Sequence, residues 1–178
     1  MNISVIIPSL NPDDKLIKVV DSLVEYDFND IIIVNDGSDS DHQKPFNILS
    51  KYPQCTILSH SVNRGKGRGL KTAFEYCVNN RPDIDGVVTV DGDNQHRAED
   101  IKACCEQMIK SVDKVILGVR DFSGKDVPFK SRFGNNMTSF VFKFACGLNI
   151  SDTQTGLRAI PLKYLPIFCE IKGERFEY

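Results

Sequence analysis

None of the six cysteines, at positions 55, 77, 104, 105, 146 and 169, pairs as Cys-x-x-Cys, so a zinc site has no paired ligands to build on. A disulfide framework is not expected at this size, and most of the six fall inside apolar patterns, as buried thiols of a reducing cytosol do. No apolar stretch approaches the roughly 20 residues that span a bilayer. Nor does the start of the chain show a basic region and apolar core ahead of a cleavage site, and the protein is expected to be soluble. Charge of one sign is also missing: 22 Lys+Arg stand against 24 Asp+Glu, a formal net charge of −2. That balance excludes whole-protein attraction to nucleic acid and leaves any anion site to a local patch. Repeats, linkers and low-complexity tracts are absent. What is present is ordinary for a globular protein, with 41% apolar and 26% charged residues in 178, enough to close a core and to exclude disorder.

Organisation comes from alternation. Short β-branched runs at residues 3–7, 31–34, 56–58, 86–90 and 115–117 read as buried strands. Helical spacing lies between them: Leu16, Val19, Val20 and Leu23; a short helix ending near Tyr52; Leu70, Ala73, Phe74 and Cys77; Ile101, Cys105 and Met108. Asn11 and Pro12 read as the cap and first position of the first helix. This order predicts an α/β fold, a mainly parallel Rossmann-like sheet with helices on both faces. Beyond Arg120 the pattern changes to a polar loop, then a helical pattern over residues 131–146. Its stretch from Phe133 to Phe144 reads as core, with a membrane interface as the competing use. A turn-rich segment at residues 152–156 follows.

Open parallel sheets bind ligands beyond the carboxyl ends of their strands. Here those ends carry residues 8–11, Asp36, the loop 63–69, Asp91 with Asp93, and Arg120. Two carboxylates flanking Gly92 suit one divalent ion that takes its remaining ligands from phosphate, and they also suit a bare turn. Asn35-Asp36-Gly37-Ser38 reads either as a turn or as an acceptor for a base or ribose donor. Residues 63–69, with Arg64, Lys66, Arg68 and three glycines, match neither G-x-G-x-x-G nor a Walker A loop. Such a loop suits phosphate through backbone N–H groups, or is a solvated basic turn. Arg120, Arg132 and Arg158 suit bidentate phosphate recognition or a solvated surface.

An ordered set of motifs resembles glycosyltransferase family 2, of the GT-A fold, in its dolichol-phosphate mannose synthase and bacterial polyprenyl-phosphate glycosyltransferase branch. The motifs are Val5-Ile6-Ile7-Pro8 with Asn11, Val34-Asn35-Asp36-Gly37-Ser38, Asn63-Arg64-Gly65-Lys66-Gly67 and Asp91-Gly92-Asp93-Asn94-Gln95-His96. They continue with Gly118-Val119-Arg120, Asp152-Thr153-Gln154-Thr155-Gly156-Leu157-Arg158 and Glu174-Arg175-Phe176-Glu177. The resemblance implies metal-dependent, inverting transfer from a GDP- or UDP-sugar to polyprenyl or dolichyl phosphate, with a glycan hydroxyl or a non-catalytic nucleotide module as alternatives. It assigns Pro8, Asn11, Asp36, Lys66 and Asp91 to the nucleotide. Asp91, Asp93 and Gln95 fall to Mg²⁺ or Mn²⁺. Asp152, Arg120, Arg132 and Arg158 fall to the catalytic, acceptor-facing side. The family commonly places an aromatic before the Asn and a Glu after it, where Leu10 and Pro12 stand here, and Asp13 or Asp14 is the substitute carboxylate. Residues 1–178 are expected to form one catalytic domain whose natural chain continues past Tyr178. Its place is the cytoplasm, peripheral to the cytoplasmic face of a membrane, with a partner or a further segment as anchor. A nicotinamide dehydrogenase is excluded because Pro8-Ser9-Leu10-Asn11 replaces its glycine fingerprint. A sugar nucleotidyltransferase would carry the basic glycine loop near the first strand, not after the third.

Overall fold

The computed structural model describes residues 1–111, 113–119 and 156–175. Arg120, Arg132, Asp152, Cys146 and the pattern at 131–146 lie outside the described residues. The elements in order are β1 (Ile3–Ser9), α1 (Lys15–Glu25), β2 (Ile31–Asn35), α2 (Lys44–Leu49), β3 (Cys55–Ser59), α3 (Lys66–Asn80), β4 (Gly86–Thr89), α4 (Ala98–Lys110), β5 (Ile116–Leu117), β6 (Arg158–Pro161) and α5 (Leu165–Glu170). The sheet order is β3-β2-β1-β4-β6-β5, with β1 parallel to both β2 and β4. Crossovers leave β1 in opposite directions, so the crevice opens where the carboxyl ends of β1 and β4 diverge.

Both faces of the sheet are covered, which is why its strands read as unbroken apolar runs. Val5 and Ile7 of β1, Ile31 and Ile33 of β2, and Val88 of β4 face α1, α2 and α4. Ile6, Ile32, Val34 and Val87 face α3 and α5. Across that second face Phe74 and Phe168 meet edge to face, with ring centroids 6.1 Å apart. The described cysteines are free; burial pushes the Cys77 and Cys105 thiols up to about 12, as expected of core thiols.

One local expectation changes, and two features are new. Helix α1 begins at Lys15, not Pro12. Asn11 instead takes a left-handed conformation (φ 49°), and its side chain exchanges two 3.1 Å hydrogen bonds with Asp39, so it joins the β1 and β2 loops rather than capping a helix. The left-handed residue of the turn after β4 is Asn94 (φ 63°), and Gly92 is closely packed, since a Cβ there would stand 3.3 Å from Leu16 Cδ1 and Ser9 Oγ. Strand β6 runs antiparallel between β4 and β5, pairing Val87 with Ile160 and Thr89 with Arg158. Its four residues, Arg-Ala-Ile-Pro, are too few to show a period.

Strand β6 approaches β4 closely at Gly86, where a Cβ would collide with the Ile160 carbonyl oxygen and stand 2.8 Å from Met108 Cε. Gly86→Ala is therefore expected to destabilise the protein by about 1–3 kcal/mol, as overpacking does. Urea unfolding checks this: the midpoint should fall with the m-value unchanged.

Candidate active site

The residues at the carboxyl ends of β1, β2 and β4 and at the start of α3 enclose one cleft of about 410 Å³. Pro8, Ser9 and Leu10 form one wall, Asp36, Asn63, Gly65 and Lys66 the second, and Asp91, Asp93 and Arg175 close it. A shallower groove adjoins it past Ser9 and Asp93 and is lined by Asn11, Pro12, Asp13 and Gly92. Of the residues singled out in the sequence, Pro8, Asp36, Lys66, Asp91 and Asp93 meet in the main cleft, and Asn11 stands at its annex. Arg158 opens β6 opposite Thr89, at the same end of the sheet as Asp91. Gln95 lies exposed beyond Asp93, and its backbone N–H donates to Asp93 Oδ1 at 3.1 Å.

Asp36 is 4% exposed, and the surrounding backbone is built onto it. Its Oδ1 accepts hydrogen bonds from His60 Nδ1 (2.7 Å) and the Arg64 N–H (2.9 Å), and its Oδ2 from the Gly65 N–H (2.8 Å). The far ring nitrogen of His60 lies 3.0 Å from Thr72 Oγ1 on α3. A carboxylate offers about four acceptor positions, and the described residues fill three of them.

The start of α3 is equally committed. The Gly67 and Arg68 N–H groups donate to the carbonyls of Arg175 (3.0 Å) and Glu174 (2.8 Å). Four amides of the glycine loop that were candidates for phosphate are thus held by the protein itself. Through these amides the loop binds Asp36 and the 173–175 segment rather than presenting those four N–H groups to the cleft.

Lys66 Nζ donates to Asp91 Oδ1 at 2.5 Å, and His96 Nε2 lies 3.8 Å from Oδ2, an ion-pair rather than a hydrogen-bond distance. His96 and Lys66 together hold the Asp91 carboxyl well below the usual carboxylate range, against a partial burial that raises it. The Gly156 backbone packs directly on this carboxylate, leaving no room for a Cβ, and its carbonyl accepts from Thr89 Oγ1 at 2.7 Å. Among the described residues no group of three or more His, Cys, Asp or Glu side chains is placed to hold a metal. Ser9 Oγ, on the cleft wall, is buried and meets no hydrogen-bond partner among the described residues. Asp14, one candidate for the missing acidic position, is engaged by Lys44 Nζ at 3.2 Å, whereas Asp13 lines the annex.

Sequence reasoning missed His60 and Lys71, and it named Arg175 within a motif without giving it a role. His60 directly follows β3, where the strand-end rule applies. Lys71 falls on the α3 stripe shared by Gly67 and Phe74, and a lysine within a helix's buried stripe is itself a signal.

Asp36→Asn keeps the shape but turns one acceptor into a donor, so one of three N–H groups loses its partner. A loss of about 1–3 kcal/mol is expected for a buried donor left unpaired. Urea unfolding measures the loss, and the Arg64 and Gly65 amide signals should shift with it.

A sequence model of glycosyl transferase family 2 matches residues 4–165. A protein of Methanococcus voltae named UDP-N-acetylglucosamine–dolichyl-phosphate N-acetylglucosaminyltransferase is 28% identical over 98% of this chain and 76% of its own. Among solved structures, S. aureus TarS 1-349 in complex with UDP-GlcNAc superposes with a TM-score of 0.63 at 18% identity, over 94% of this chain and 47% of that one. Glucosyl-3-phosphoglycerate synthase of Mycobacterium tuberculosis, in complex with Mn²⁺, UDP and glucosyl-3-phosphoglycerate, gives 0.63 at 15%, over 91% and 57%. The chain spans about half the length of these solved proteins, and at such identities the likeness carries the fold, GT-A. With the family match covering nearly the whole chain, this protein belongs to glycosyl transferase family 2 and is a glycosyltransferase.

Proposed function

We propose that this protein transfers a sugar, with inversion, from a UDP-sugar to a polyprenyl or dolichyl phosphate at the cytoplasmic face of a membrane. The observation that carries the reading is the cleft beyond β1 and β4, lined by Asp91, Asp93, Lys66 and Ser9, whose hydroxyl has no hydrogen-bond partner among the described residues. UDP is favoured over GDP because the M. voltae relative is named for a UDP-sugar and the two structural neighbours hold UDP-GlcNAc or UDP. The lipid acceptor follows that relative's name and the motifs at 152–158 and 174–177. No helix among the described residues is long and apolar enough to cross a membrane, so the membrane anchor is assigned to a partner or to sequence outside these residues.

The donor set fits a hard divalent ion in company with a diphosphate. Asp91 and Asp93 offer only oxygens, too few alone, and Mg²⁺ characteristically takes its other ligands from water and substrate phosphate. Asp91, Asp93 and Gln95 would hold Mg²⁺ or Mn²⁺, whose chemistry there is to offset charge developing on the leaving diphosphate. Lys66 neutralises Asp91 in the free cleft and is placed to turn to a phosphate oxygen. Pro8, Asn11 and Asp36 would face the nucleoside. Arg120, Arg132 and Arg158 are assigned to phosphate, and Asp152 to the acceptor. A lipid phosphate, with a second pKa of about 6 by analogy with phosphorylated side chains, is already anionic near pH 7, so Asp152 would orient it rather than deprotonate it.

Transfer from UDP- and GDP-sugars to a short polyprenyl phosphate or to soluble sugars, with Mn²⁺ or EDTA, tests the reading. Metal-dependent transfer from a UDP-sugar to the lipid phosphate is expected; transfer to sugar hydroxyls alone would overturn the acceptor. Asp93→Asn should abolish the Mn²⁺-dependent rise in Tm that UDP gives the wild type while leaving the ligand-free Tm unchanged.

A further inference from the structure

The 173–175 segment lies across the start of α3 and is held there from both backbone and side chain. The Gly67 and Arg68 amides take the carbonyls of Arg175 and Glu174. One turn further on, Lys71 is 3% exposed, and its Nζ donates to the Gly173 carbonyl at 2.6 Å and to Glu174 Oε1 at 3.1 Å. A buried ammonium is tolerated only where it is paired, and here it holds two atoms of one short segment about a hundred residues away. Gly65 permits the close approach: it takes φ 100°, and a Cβ on it would stand 2.5 Å from the Glu174 carbonyl oxygen and 2.7 Å from Arg175 Cγ. The Arg175 side chain is thereby laid over Gly65 and becomes part of the cleft wall.

Around it the amides of Arg64, Gly65, Gly67 and Arg68 are engaged within the protein, so recognition of an anion draws on the side chains of the cleft wall. Among the described residues lining the cleft, the cations are Lys66 and Arg175. A guanidinium at such a wall presents a planar fork suited to phosphate oxygens. We propose that Arg175 is a phosphate-recognition residue of this cleft and that Lys71 is the positioning residue that seats it there. The inference rests on the glycosyltransferase cleft described above. Its ligand chemistry is a phosphate group, carried either by the donor diphosphate or by a lipid phosphate.

Titration calorimetry with two probes, inorganic pyrophosphate with Mn²⁺ and farnesyl phosphate, separates the sources. Arg175→Ala is expected to weaken binding of one probe about tenfold or more, as for loss of a charged hydrogen bond, and Arg175→Lys to recover part of it. The probe affected identifies the phosphate. Lys71→Met should give a similar loss, and the double variant should bind no more weakly than Arg175→Ala, the non-additivity of residues acting as one unit. Glu174→Gln, at an exposed site, loosens the same segment and provides the measurement if Lys71→Met does not fold. Wild-type and Arg175→Ala proteins that bind both probes equally, or not at all, would overturn the role of Arg175. Wild-type affinity in Lys71→Met, or in Glu174→Gln in its place, would overturn the positioning role. Pyrophosphate binding that depends on Arg175, in a protein that binds neither UDP nor GDP, would support this inference while removing the proposed donor.

Discussion

The geometry of the cleft depends on one buried carboxylate. Asp36 directly follows β2, its own N–H donates to the Ser9 carbonyl of β1, and its oxygens gather His60 and the amides of Arg64 and Gly65. A charge this deep requires several donors to offset lost hydration, and the chain supplies them from the segment between β3 and α3. The loop is therefore shaped by the need of Asp36 for partners, and the direction in which α3 leaves it follows. With α3 fixed, its Gly67 and Arg68 amides take the carbonyls of Arg175 and Glu174, and the last described part of the chain is drawn to the cleft opened by the first strand.

The electrostatics of the site follow from the same frame. Asp36 accepts hydrogen bonds from two backbone amides and His60, Asp91 is paired with Lys66 beside His96, and Asp93 stays exposed beside the annex. The protein as a whole carries almost no net charge, yet two cations and three carboxylates line one cleft. Such an arrangement suits a ligand that is itself a salt of phosphate and metal, whose anion meets Lys66 and Arg175 and whose cation meets Asp91 and Asp93.

Much of this was legible in the sequence because it is local. The unbroken apolar runs of β1, β2 and β4 announce a sheet buried on both faces, and the polar strand ends announce where its ligand goes. What was not legible is long-range. Asn11 has the composition of a helix cap but is claimed by Asp39 across the cleft annex. The glycine loop has the composition of a phosphate cradle, but the Asp36 carboxylate and the backbone of 174–175 occupy it first. Strand β6 is too short for a period and exists because Val87, Val88 and Thr89 of β4 offer it an edge. In each case the competing partner lies dozens of residues away, where local composition carries no information.

The central claim is that the glycine loop serves as structural clamp while side chains read the phosphate, and amide hydrogen exchange tests it most directly. In the free protein, the N–H groups of Arg64, Gly65, Gly67 and Arg68 should exchange slowly, and adding UDP with Mn²⁺ should leave their protection nearly unchanged. Fast exchange of these four amides in the free protein, with protection appearing only when the nucleotide binds, would show that the loop is a phosphate cradle after all and would contradict the account.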